Sequence, residues 1–100
     1  MAMTYVMLGK WKTGVTQEQA DGALMRRAGW TYPAGAKSLG EYWPMSTDPA
    51  VIAIFEADDP SVLMEVIFTW GDVFDITMLP AVSAEQGLAL GPDAMARARA

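Results

Sequence analysis

Ala50-Val-Ile-Ala-Ile-Phe-Glu-Ala57 is followed at once by Asp58-Asp59-Pro60. A continuous apolar run bounded by turn residues marks a central strand covered on both sides. Asp59 suits a helix N-cap and Pro60 the first helical position. Ser61, Glu65, Thr69 and Asp72 then form one narrow polar stripe, and the other positions from Val62 to Trp70 are large and apolar. So wide an apolar arc exceeds what one sheet face can cover. Gly71 stops the helix. Residues 73–79 alternate as another strand, with Phe74, Ile76 and Met78 on one side, and Pro80 closes it. This stretch is therefore strand, helix, strand.

Working outward, residues 3–12 read as a strand. Tyr5, Met7, Gly9 and Trp11 point one way, and Val6, Leu8 and Lys10 the other. Both sides are largely apolar, so both call for cover. Thr16 and Gln19 form a capping box, and a helix follows over 17–28 with Ala20, Ala23, Leu24 and Ala28 inward. A stripe of such small residues predicts close approach to the sheet, and Gly29 takes the C′ position. Residues 30–36 are a loop carrying Trp30 and Tyr32. Residues 37–45 read as a further strand, with Pro44 near its end. The tail predicts a short helix around 83–90 and a frayed end with Arg97 and Arg99.

The order β-α-β-β-α-β predicts an α+β, ferredoxin-like fold: a four-stranded antiparallel sheet with two helices on one face. It places a domain at 1–82 and a helical tail at 83–100. Two helices roof one side of a sheet that is apolar on both. A second copy across a two-fold axis is the simplest cover, which predicts a homodimeric α+β barrel.

Composition narrows the chemistry. The 100 residues include no His, no Cys and no Asn. Metal sites built on thiolate or imidazole, Cys-His and Ser-His-Asp catalysis, and a haem held by His or Cys are excluded. A net charge of −5 argues against nucleic acid. Phosphate-binding Gly motifs are absent, so no cofactor is expected. Asp58 and Asp59 do not read as metal ligands, because helix capping explains Asp59. Residues 1–9 lack the basic start of a signal peptide, and no apolar run spans a bilayer, so the expectation is a cytoplasmic protein with no membrane partner.

The chain holds four Trp, three Tyr, three Phe and eight Met. That exceeds what a core of this size needs, so the surplus lines a pocket or covers a partner. Trp11, Trp30, Tyr32, Tyr42, Trp43 and Trp70 are the candidate walls for a flat apolar ligand, with Trp30 and Tyr32 at its mouth. Filling the core and dimer seam is the plainer reading of each. Asp75 lies between Phe74 and Ile76; if buried, it would titrate high enough to act as a base. A structural carboxylate is the plainer alternative. Arg26 and Arg27 end the first helix. They either complement its C-terminal dipole or clamp an anion. Glu41 and Glu56 lie nearer strand ends and read as solvated.

Leu39-Gly40-Glu41-Tyr42-Trp43, Glu56-Ala57-Asp58-Asp59-Pro60, Trp70-Gly71-Asp72 and residues 75–82 resemble the family called domain of unknown function 3303. The resemblance covers roughly residues 3–85. It implies membership of the dimeric α+β barrel superfamily, whose better-known members are antibiotic-biosynthesis monooxygenases, muconolactone isomerases and relatives of haem-dependent peroxidases and chlorite dismutases. It implies a ligand cavity between each sheet and its helices. In the cofactor-free monooxygenases a Trp, a Tyr and a basic group position a phenol or quinol for oxygen. Two functions stay open: binding or transforming a small aromatic molecule by oxygenation or isomerisation, and a non-catalytic ligand-sensing or protein-interaction subunit.

Overall fold

In the computed structural model, which describes residues 2–100, the elements run β1 (Met3–Trp11), α1 (Gln17–Gly29), β2 (Ala36–Tyr42), β3 (Val51–Ala57), α2 (Pro60–Trp70), β4 (Phe74–Ala81) and α3 (Ala84–Ala98). The fold is α+β. One four-stranded sheet has the order β2-β3-β1-β4, and every neighbouring pair is antiparallel. Strands β1 and β2 therefore run parallel with β3 between them. Strands β3 and β4 run parallel with β1 between them. Two split β-α-β units interlock.

Local chemistry sets the helix starts. The Thr16 side chain accepts from the Gln19 backbone, and the Gln19 side chain accepts from the Thr16 N–H. Asp59 caps α2 by accepting from the Ser61 backbone N–H at 2.8 Å, with Pro60 at the first position. A turn joins the loop to β2: Ala36 N–H donates to Pro33 O, and Gly35 takes φ +90°, a conformation strained for any residue with a Cβ.

The core lies between the sheet and the two helices. Phe55 on β3 is fully buried, and Met7, Ala53, Ala57, Phe74, Val62, Val66 and Trp70 pack around it. Helix α2 seats Val62, Val66 and Trp70 against the sheet and leaves Phe68 76% exposed on its outer side. The wide apolar arc is thus only partly used.

Several expectations need correction. Helix α1 buries Ala23 but leaves Leu24 and Ala28 exposed. Its small residues do not draw it onto the sheet; α1 makes few close backbone approaches, and the missing side-chain volume is left as open space. Gly29 lies within α1, whose C-cap is Trp30. Strand β2 ends at Tyr42, so Trp43, Pro44 and Met45 lie beyond it. Pro80 lies inside β4, paired with Tyr5. The strand is an edge, where a missing N–H leaves no ladder bond unmade.

The tail helix is longer than expected. Ser83 and Gln86 form a second capping box, and α3 continues through Pro92 to Ala98. None of its residues is buried. It spans about 22 Å at the usual rise per residue.

Phe55→Ala is expected to cost about 3–5 kcal/mol, because the ring is fully enclosed and its neighbours cannot collapse onto the void. Urea unfolding followed by tryptophan fluorescence measures it.

Candidate functional site

Because α1 stands off the sheet, a cavity of about 210 Å³ opens between them. Ala20, Ala23 and Leu24 of α1 form its roof, and Met7, Val51 and Phe74 of the sheet its floor. Trp11, Trp30, Tyr32, Trp43 and Trp70 complete the walls. Trp11 stacks on Phe74 with centroids 4.4 Å apart, and Trp30 meets Trp70 edge-on at 5.6 Å. Trp30 also packs on Tyr32 at 4.8 Å. Such tilted and edge-on contacts are the arrangements aromatic rings prefer.

One end of the cavity is polar. Glu41 accepts from Arg27 Nε at 3.0 Å and Nη2 at 3.0 Å, from the Tyr32 hydroxyl at 2.6 Å, and from the Trp43 indole N–H at 2.9 Å. Arg27 Nη1 donates to Trp30 O. The Arg27 guanidinium lies 5.4 Å from the Trp30 ring centre and 5.8 Å from that of Tyr32. The Glu41 side chain is 15% exposed and that of Arg27 30%. Four donors use the acceptor capacity of a carboxylate.

Register explains how Glu41 reaches this place. Ser38 pairs with Phe55 and Gly40 with Ile54, so Leu39 is an extra residue, a β-bulge. Strict alternation from Ala36 would put Gly40 and Tyr42 on the helix side. The bulge inverts the phase, so that Glu41, opposite Ala53, faces the helices. Tyr42, opposite Ile52, faces away and is 65% exposed.

The titration behaviour follows from this packing. Burial, and then the Glu41 carboxylate, push the Tyr32 hydroxyl from 10.0 up to about 12, with Ser38 and the Arg27 charge opposing. Burial alone would raise the Glu41 carboxyl, but hydrogen bonds from Arg27, Tyr32 and Trp43 outweigh it and hold the group below its ordinary range. Hydrogen bonding to Glu41 raises Arg27 further.

The residues singled out from sequence thus divide. Trp11, Trp30, Tyr32, Trp43, Trp70 and Arg27 lie on the cavity wall; Tyr42, Arg26 and Asp75 do not. Arg26 forks onto Asp72 at 2.8 and 3.0 Å, donates to Thr69 O at 2.6 Å and covers the Trp70 ring at 4.9 Å. Its ion pair is exposed and contributes at most about 1 kcal/mol; the bond to a last-turn carbonyl of α2 ties the two helices together. Asp75 is exposed on β4, 3.6 Å from Lys12. A base tuned by burial needs burial, so Asp75 does not fill that role. Glu41, read from sequence as solvated, is instead the centre of the polar end. The sequence signal available was Gly40 beside Leu39, where a strand with one face covered loses its phase.

Glu41→Gln is expected to lower the Tyr32 pKa from about 12 toward 10.0, read as tyrosinate absorbance during alkaline titration. The sign for stability follows. Unfolded Tyr32 releases its proton near 10.0 and folded Tyr32 near 12, so the wild type loses stability as pH rises through that window. The variant narrows the window.

No curated protein and no solved structure matches the chain. Among the described residues, no helix is long and apolar enough to cross a membrane. One family model does match, covering residues 3–94 and so reaching well into α3. The chain belongs to the family described as Domain of unknown function (DUF3303).

Proposed function

We propose that the protein binds a small, flat, largely apolar molecule between α1 and the sheet. The observation that carries this is the open cavity of about 210 Å³ walled by four tryptophans and a tyrosine. An apolar cavity of roughly 150 Å³ holds benzene, and drug-sized ligands need about 300 Å³ or more. The volume therefore suits one ring with short substituents or two fused rings. Binding is favoured over catalysis by one feature. Among the described residues Glu41 is the only carboxylate on the wall, and its acceptor positions are taken. A carboxylate so engaged is not free to take a proton from a ligand.

The interlocked split units support a ferredoxin-like arrangement for the sheet and its first two helices. The far side of that sheet supports a homodimer. Val6 pairs with Ile54 and Leu79, and Leu8 with Ile52, forming an apolar patch that no helix of the same chain buries. A second copy laid on it removes that patch from water on both subunits.

Titration with naphthalene or indole, followed by calorimetry and tryptophan fluorescence, tests the binding reading. Saturable binding is expected, and Ala20→Phe, which fills the roof of the cavity, is expected to abolish it with little change in unfolding midpoint. Absence of saturable binding to folded wild type contradicts the reading. For the dimer, light scattering should report twice the chain mass for wild type and the single-chain mass for Ile54→Lys.

A further inference from the structure

We propose, building on the binding reading above, that Glu41 sets the charge selectivity of the cavity: by neutralising Arg27 it admits uncharged aromatic molecules and turns away aromatic carboxylates. Among the described residues, Arg27 is the only cation on the cavity wall. Alone, a guanidinium at the end of an aromatic slot would be a carboxylate receptor, since its planar fork matches two oxygens. Glu41 already occupies that fork, through Nε and Nη2 both at 3.0 Å. The guanidinium's remaining outer nitrogen donates to Trp30 O at 3.1 Å.

An incoming carboxylate therefore meets a pair with no net charge, both members of which line the cavity. To pair with Arg27 it must displace Glu41 and leave that carboxylate unpaired in a largely enclosed place. Breaking one partner out of an enclosed pair is costly, whereas a neutral ring leaves the pair undisturbed. A purely structural role, in which Glu41 only ties α1 and the Tyr32 loop to β2, predicts no effect on which ligand charge is preferred. Selectivity is thus the quantity to measure.

Benzoate and nitrobenzene are close in shape and differ in charge, so their affinities isolate the electrostatic part. Calorimetry at neutral pH on the wild-type protein should show nitrobenzene preferred by about tenfold or more, equivalent to about 1.4 kcal/mol. Glu41→Gln preserves the side chain's shape and frees the Arg27 charge. It should shift the ratio of benzoate to nitrobenzene affinity about tenfold toward benzoate. Adding Arg27→Gln to that variant should erase the shift. Equal or tighter binding of benzoate by the wild type overturns the selectivity proposal while leaving the binding reading intact. The wild-type comparison needs no variant and so stands even if Glu41→Gln unfolds. A folded Glu41→Gln protein with an unchanged affinity ratio also overturns the proposal. A folded wild type that binds neither probe overturns the binding reading and this proposal together.

Discussion

The contact between Glu41 and Arg27 joins an edge strand to the last turn of α1. Arg27 sits in the last turn of α1, and Glu41 sits past the bulge in β2. Their bidentate bond fixes one end of the helix at a distance set by two long side chains. Tyr32 and Trp43 complete the tie from the loop and from the residue after β2. The other end of α1 begins at a capping box that satisfies its first amides locally. Between these ends Ala23 packs into the core, while Ala20 and Leu24 border open space. A cavity results because the anchor is long and the roof is thin.

The same contact governs the electrostatics. A single cation among aromatic rings is a strong field in a medium of low dielectric constant. Pairing it with a carboxylate leaves a site whose walls are apolar and whose polar end is closed on itself. The tryptophans then act through ring faces and shape.

How legible this was varies with the physics involved. Helix starts could be read because capping is local: Thr16 with Gln19, and Asp59 with Pro60, need no distant partner. The strand–helix–strand unit from Ala50 to Leu79 could be read because period-two and wide-arc patterns survive in a single sequence. Glu41 could not, because one inserted residue at Leu39 inverts a face, and only the pairing with Phe55 and Ile54 reveals it. Asp75 looked promising between two apolar neighbours, but alternation on an edge strand turns it to water. The tail reads as a short helix around 83–90, whereas α3 runs on through Pro92 to Ala98, because local propensity is a weak guide to where a helix ends. The volume under α1 was illegible for a further reason. Small residues read equally well as close packing or as empty space, and the choice depends on what holds the helix away.

The most direct test of this picture is a crystal structure determined under xenon pressure. Xenon occupies apolar voids that water leaves empty. The account predicts xenon density between Ala23, Trp11 and Trp70, with the Glu41–Arg27 contact intact. A structure without xenon there, in which α1 has closed onto the sheet and the tryptophans fill the space, would contradict it.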